Sequence, residues 1–405
     1  MSRKCGDWID SFTRYAAFGE APKRMYFWVA VSTIAGALRR RVWIDQAYFQ
    51  WYPNLYIVLV APPGIVSKST TAEVGMSLLR QVPGINFGPS VVTWQSLVKS
   101  FAEACESFSL GDMYYPMSPL TIVSSEFGNL VNPKDKDMID MLVNLWDGRS
   151  FTKATKMSGT DEVTNPWINL IACTTPEWIA GNFPEYMIGG GFTSRCIFCY
   201  EEAKEKYVAY PGLEVPADLK AQEADLVHDL EHIATRLAGE YKLDSEAVAW
   251  GEWWYKYWYE EGCKGLDTVR FGGYIARKQT MIHKLGMVLA AASRDELIIT
   301  KDDLQAADNM LTDLEPAMSK VFDRIGMSDA AFQQERFLKW VQSRGGISQW
   351  AAHNYLRKYF PDKQVAGNIL ESLLSANQIK FDGVMIRPTW EGIDLPNQVA
   401  GPSGP

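Results

Sequence analysis

The chain has 405 residues, 47% hydrophobic and 22% charged, which is room for two or three domains with substantial cores and too apolar for a disordered protein. A formal net charge of -8 excludes a chain coated in basic residues, so any nucleic-acid contact has to be local or created by assembly around a channel. The cysteines at positions 5, 105, 173, 196, 199 and 263 follow no repeated spacing and no cleavable signal precedes them, which predicts a reduced, cytoplasmic setting without disulfides.

Residues 1 to about 50 read as a helical N-terminal extension. Its most apolar part, Met25 to Leu38, is about 14 residues long, too short to span a bilayer, and reads as a buried helix. Arg39, Arg40 and Arg41 follow it, and such a cluster either touches phosphate or complements the helix dipole.

The stretch LYIVLVAPPGIVSKSTT, Leu55 to Thr71, is an apolar strand-like run that breaks into a Pro/Gly loop ending in Lys68, Ser69 and Thr70. It reads as an altered phosphate-binding loop, G-x-x-x-x-G-K-[ST], in which backbone N–H groups curl around phosphate, a lysine neutralises charge and a hydroxyl meets Mg²⁺. Ala61 and Ser67 stand where the pattern has glycines, and Gly64 keeps flexibility inside the loop. A plausible helix, Ser69 to Val82, follows, so strand, loop and helix come in the required order. The expected nucleotide contacts are Pro63, Gly64, Ile65, Val66, Ser67, Lys68, Ser69 and Thr70, with ATP and Mg²⁺ as cofactors.

Strand patterns recur at Leu120–Ser125, Trp167–Thr174 and Cys196–Glu201, separated by helical patterns, which indicates an α/β core with a parallel sheet. Glu126, just beyond the first of these, is the candidate general base for the water that attacks the γ-phosphate. Ser125 occupies the position where an aspartate would hold Mg²⁺, so metal would rest on Ser69, Ser125, phosphate and water. Thr174 ends the next strand, as a sensor of water or phosphate or simply as a strand terminus ahead of Pro176. Arg195, after a glycine run, is either an arginine finger that acts on a neighbouring subunit or a structural ion-pair partner. Cys196 and Cys199 form a C-x-x-C inside a strand, where core packing outweighs metal binding.

From about 217 to 325 the periodicity is helical, a lid or second domain. His228 and His232 share a helix face but lack the zinc-protease glutamate, and Arg277 and Lys278 are possible lid sensors. The aromatic run 250–262 is core, interface or base-stacking surface. Residues 329–390 alternate three helices with a hairpin at Asp382-Gly383, a winged-helix pattern whose third helix would present Lys363, Gln364 and Asn368 to DNA, unless the module docks protein. Lys153 and Lys156, in a Lys/Thr/Gly-rich segment, would hold a DNA backbone in a channel or sit on a plain exposed hairpin.

In order, APPGIVSKSTT, SSEFGNLV, the segment from WDGRSF to KMSG, INLIACTTPEW, GGGFTSR, ARKQTMIHKLGMVLAAA and ITKDDLQAA resemble the phage and mobile-element P-loop ATPases labelled primase/helicase-like, related to AAA+ and RecA-like motors. The resemblance covers most of the chain. It implies ATP-driven remodelling or unwinding of DNA in phage replication inside a bacterial host, with Lys68 on phosphate, Ser69 near Mg²⁺, Glu126 as base, Thr174 as sensor and Arg195 acting in trans. It also implies a homo-oligomer, a hexamer by family habit, with replication proteins as possible partners and no membrane. The alternatives are a nucleotide-switched helicase loader or origin binder, and a regulatory protein whose winged helix binds a protein. The expected divisions are 1–50 extension, 51–210 ATPase core, 211–327 helical lid, 328–392 winged helix and 393–405 disordered tail.

Overall fold

The computed structural model describes residues 2–91, 93–155, 159–262, 265–322, 325, 329–359 and 363–389. These fall into two compact units, Met1–Ile325 and Gly326–Pro405.

The first unit is a mixed α/β body. Helix α1 (Trp8–Tyr15) starts at Asp7, whose side chain accepts from the Asp10 amide, and buries Trp8, Ile9 and Phe12. Helix α2 (Lys23–Leu38) is apolar on every side, and from Met25 to Leu38 only Phe27 escapes full burial. Such a helix has to sit inside the body. It packs on the main sheet and four other helices, so the expected N-terminal extension is in large part core. Residues 42–51 also depart from the helical expectation. They form a hairpin of β1 (Val42–Asp45) and β2 (Gln50–Trp51), because Val42 and Ile44 are buried while Trp43 and Asp45 are not, an alternation too short to stand out in the sequence.

Strand β3 (Tyr56–Val60) is buried at every residue and runs through a seven-residue loop into α3 (Lys68–Leu79). Then come α4 (Trp94–Glu103), the hairpin β4 (Glu106–Leu110) and β5 (Met113–Ser124), short α5 (Phe127–Leu130) and α6 (Lys136–Asp147). The paired strands β6 (Phe151–Thr155) and β7 (Gly159–Val163) lead to β8 (Pro166–Thr174), α7 (Pro176–Asn182) and β9 (Cys196–Tyr200). The main sheet has the order β4-β5-β8-β3-β9, with β5, β8, β3 and β9 parallel and β4 antiparallel at the edge. Each of the four parallel strands was visible as an apolar run. The β4–β5 hairpin was not, because its outer halves are polar and exposed; Gly111, at φ 59, makes the turn between them.

The chain leaves the carboxyl end of β3 for β4 and β5, beyond β8, and leaves the carboxyl end of β8 for β9, beyond β3, so the two connections run in opposite directions from neighbouring strands. Their carboxyl ends are where an open parallel sheet leaves a crevice for a ligand.

Residues 217–325 are helical as expected, with α8 (Leu219–Arg236), α9 (Ser245–Glu261), α10 (Gly272–Ile275), α11 (Lys278–Ser293), α12 (Lys301–Thr312) and α13 (Glu315–Phe322). Small strand pairs join them: β10 (Gly239–Glu240) alongside β1, and β11 (Lys242–Leu243) alongside β12 (Ile298–Ile299). One continuous hydrophobic core joins these helices to the sheet.

The second unit has its own core, centred on Phe337, Val341, Leu356, Leu373 and Ile386. It contains α14 (Asp329–Ser343), β13 (Ile347–Ser348), α15 (Gln349–Tyr359), α16 (Lys363–Ser375), β14 (Ile379–Asp382) and β15 (Met385–Pro388), with sheet order β13-β15-β14. Gly383, at φ 60, turns the β14–β15 hairpin, as the Asp-Gly pair predicted. No described helix is long and apolar enough to cross a membrane.

Candidate nucleotide site

The loop from Ala61 to Ser67 joins the carboxyl end of β3 to the amino end of α3. Its one left-handed residue is Gly64, at φ 73, and a Cβ there would meet no atom within 4 Å, so glycine serves the backbone angle and not the space. Ser67 has φ -76, which any residue adopts. The backbone at Ser67 therefore makes no demand for glycine. Pro63, Gly64 and Ile65 are exposed, whereas Val66 turns inward and anchors the loop.

Ser67 precedes α3 without making a side-chain cap. Its carbonyl accepts from the Thr71 amide and hydroxyl, and the Lys68 amide donates to Val66. The first amides of a 12-residue helix thus point toward the loop, a ready site for an anion. Lys68 Nζ donates to the Ala61 carbonyl at 2.8 Å. Burial holds its ammonium below the usual lysine range, opposed by the negative charges of Glu126 and Glu177. Ser69 and Thr70 are exposed and line an open cleft of 530 Å³ together with Ser125. Both hydroxyls expected to approach a metal therefore share one cleft.

Glu126 lies two residues beyond β5 and is exposed. Its backbone is pinned on both sides. Ser124 Oγ donates to the Glu126 carbonyl at 2.6 Å, and Phe127 is buried edge-on against Trp178 with ring centroids 5.5 Å apart. A Cβ on Gly128 would come within 2.7 Å of the Trp178 ring, so glycine is required for that approach. Trp178 belongs to α7, which Thr175 caps by accepting from the Trp178 amide at 3.2 Å. One tryptophan thus ties the end of β5 to the end of β8.

This division of labour separates the two threonines. Thr175 is occupied by its cap, whereas Thr174 Oγ1 is buried with no hydrogen-bond partner. Thr174 lies beside Val60 in register, and its carbonyl accepts from the Ala61 amide at 3.3 Å, so an unsatisfied hydroxyl sits at the base of the loop. Sequence reasoning missed two neighbours. Glu177, in the first turn of α7, places negative charge near Lys68, and Cys173 lies near it as a neutral thiol, pushed up to about 12 mainly by desolvation. Thr-Pro-Glu signals a capped helix start in sequence, but only the sheet brings it near Lys68.

As for a metal, no group of three His, Cys, Asp or Glu among the described residues forms a ligand cluster. The donors that line the cleft include the Ser69, Thr70 and Ser125 hydroxyls and the Glu73 carboxylate, with Glu126 next to Ser125 in the chain. Mg²⁺ keeps most of its waters and leans on phosphate, so this set suits a metal that arrives with a nucleotide.

Arg195 is the clearest correction. It ends a 3-10 turn, Thr193–Arg195, and its side chain is only 8% exposed. Its guanidinium donates to the Gly191 carbonyl at 2.7 Å, pairs with Asp147 at 3.3 Å and lies 5.2 Å from the Trp146 ring centroid. An arginine finger has to leave its own subunit, whereas this side chain is held inside it. The Lys278 reading is likewise overturned: Lys278 is 1% exposed and paired with Asp308 and Glu315. Arg277 is half-buried, donates to the Gly273 carbonyl and shares the Asp147 charge with Arg195.

Several other motifs find structural employment. Arg39 pairs with Glu106 at 2.6 Å and donates to the Ala234 and Gly84 carbonyls. Arg40 donates to Gly148 and Pro166, and Arg41 to Thr235 and Leu237. The cluster thus stitches later segments onto the end of α2. His228 and His232 pair with Asp229 and Asp295. Cys196 and Cys199 are buried free thiols on β9.

Of the nucleic-acid candidates, Gln364 and Asn368 are exposed on α16, and Lys363 begins that helix. Lys153 lies in β6 opposite Asp161 in register. Lys156 lies outside the described residues. No protein-family model matches the chain, and no curated protein matches it in sequence.

Proposed function

We propose that the first unit is a P-loop nucleoside triphosphatase that binds ATP at the carboxyl end of β3, and that the chain uses turnover to move along or remodel DNA. The observation that carries the nucleotide reading is the meeting of three groups at one sheet end: Lys68 and the helix amides at the loop, the exposed Glu126 after β5, and the unpartnered Thr174 hydroxyl after β8.

In this reading the loop amides and the α3 terminus hold the phosphates, and Lys68 leaves the Ala61 carbonyl to meet them. Glu126 orients a water and accepts its proton as the water oxygen bonds to the γ-phosphorus and the bridging oxygen leaves with ADP. Thr174 donates to the water or to the γ-phosphate, which satisfies its hydroxyl. Ser69 and Ser125 would hold a Mg²⁺ brought in with the nucleotide, which would supply charge neutralisation to the phosphates.

The DNA part of the proposal rests on the second unit, whose three helices and hairpin have the order of a winged helix, with Gln364 and Asn368 exposed on the third helix. A homo-oligomer remains part of the proposal, without Arg195 as its finger. One observation favours the nucleotide-switched loader as the second reading: Ser125 provides a neutral hydroxyl where a carboxylate would hold the metal, which slows hydrolysis more than it weakens binding.

The test is steady-state ATP hydrolysis with and without single-stranded DNA, in the natural chain and in Lys68→Ala, Glu126→Gln and Thr174→Val. DNA-stimulated turnover lost in all three variants supports the motor. ATP binding without turnover selects the switch, and no nucleotide binding at all overturns the reading.

A further inference from the structure

Helix α9 carries an unusual run of aromatic side chains, and it uses them on two faces. Trp250, Trp254 and Trp258, four residues apart, form a buried stripe, with Trp254 and Trp258 stacked at 5.2 Å. Trp253 and Tyr257 stack at 5.4 Å with their planes 10° apart, yet remain 58% and 40% exposed. Two large rings held parallel in water are an ordered apolar surface that the fold itself leaves uncovered.

Beside these rings runs a groove of 370 Å³ between α9 and α12, with Trp253, Tyr257 and Trp258 on one wall and Gln305, Asp308 and Glu315 on the other. Its inner end already displays the chemistry it accepts. Lys278 Nζ sits 4.4 Å from the Trp258 ring centroid, 2.7 Å from Glu315 and 3.0 Å from Asp308, a cation held between an aromatic face and carboxylates.

One lysine does not balance that wall. Asp308 and Glu315 bring two negative charges against its one positive charge. One ammonium therefore serves two carboxylates, Asp308 Oδ1 at 3.0 Å and Glu315 at 2.7 Å, and the wall keeps a net negative charge. Asp308 Oδ2 accepts from Trp254 Nε1 at 3.0 Å, which fixes the carboxylate against the aromatic stripe. Glu252 is exposed on the same helix and adds negative charge, whereas Glu260 is paired with Lys256 at 3.8 Å.

We propose that the outer part of this groove is a docking site for a basic segment of a protein partner, with an arginine side chain stacked on Trp253 and Tyr257 and its guanidinium turned toward Asp308. Arginine is the side chain that combines a planar face for stacking with a fork of donors for a carboxylate. Single-stranded nucleic acid also stacks on exposed aromatics, but it needs a basic track for its phosphates, and this groove presents acids. The site is separate from the nucleotide loop and stands whether or not the chain hydrolyses ATP.

The test is fluorescence anisotropy of a labelled acetyl-tetra-arginine amide titrated with the full chain, with the tetra-citrulline peptide and a thymidine 20-mer as competing probes. Saturable binding of the arginine peptide that weakens about tenfold in Trp253→Ala, and also in Asp308→Asn, supports the site. Trp253 is exposed, so its loss leaves the fold intact, and Asp302→Asn, a change of equal charge elsewhere on α12, should alter affinity by less than about twofold. Absence of saturable binding, equal affinity in Trp253→Ala, equal affinity for the citrulline peptide, or preference for the oligonucleotide would each overturn the proposal.

Discussion

Lys68 and Ala61 close the β3–α3 loop on itself: the lysine at the start of α3 donates 2.8 Å back to the main-chain carbonyl of the first loop residue. In the proposed function, phosphate replaces this one hydrogen bond of the lysine. Charge-assisted hydrogen bonds contribute about 1.5–3 kcal/mol, so Lys68→Ala should weaken ATP binding about tenfold to a hundredfold. Titration with a fluorescent ATP analogue checks this, and thermal stability should change little.

Thr174→Val separates function from stability. The Thr174 hydroxyl is buried without a partner, and replacing it by a methyl of the same shape removes a desolvation cost of about 1 kcal/mol. The variant should unfold at equal or higher denaturant concentration while its ATP turnover falls about tenfold or more, the usual scale for a lost transition-state hydrogen bond. A variant as active as the natural chain would remove Thr174 from the site.

Arg195→Ala should destabilise the first unit by about 2–4 kcal/mol, because it strips Asp147 of its buried partner and leaves the Gly191 carbonyl without its donor. The lower part of that range applies, since Asp147 is 29% exposed and water screens the charge left behind. Denaturant unfolding measures the loss. If stability is unchanged while turnover depends on mixing subunits, Arg195 acts on a neighbour after all.

Loop backbone angles predict an inversion of the usual glycine rule. Gly64→Ala forces a Cβ into a left-handed conformation at a cost of about 1–2 kcal/mol and should weaken nucleotide binding, whereas Ser67→Gly, at φ -76, should leave binding within about twofold. Affinities of the two variants, measured side by side, test the assignment of the flexible position.

His283 makes the first unit acid-sensitive. It is buried against Trp51, with ring centroids 4.7 Å apart, and its Nδ1 bonds the Gln279 carbonyl. Desolvation lowers its pKa from 6.5 to about 4. Between those values the unfolded chain binds a proton that the folded chain refuses, so stability is complete above about pH 6.5 and falls as pH drops toward 4, by about 3 kcal/mol in all. Melting temperature against pH should show that slope, and His283→Gln should flatten it.

What the sequence determined by itself is local. Tyr56–Val60, Pro166–Thr174 and Cys196–Tyr200 are continuous apolar runs because central parallel strands are buried on both faces, and such runs need no partner to be recognised. The Gly/Pro loop before Lys68, the Asp-Gly turn at 383 and the helices around it follow from backbone preference alone. Tertiary structure decided whatever depends on pairing. Whether Arg195 faces outward or meets Asp147, 48 positions earlier, cannot be read from a glycine run, since the same residues suit both. Thr174 and Thr175 look alike until α7 takes one hydroxyl for its cap. Glu177 and Cys173 reach Lys68 only because β8 lies beside β3, and Met25–Leu38 becomes core instead of extension because later helices pack around it. Side-chain chemistry is written in the chain, but a charge or hydroxyl acquires its role from the partner that folding brings within a few ångströms.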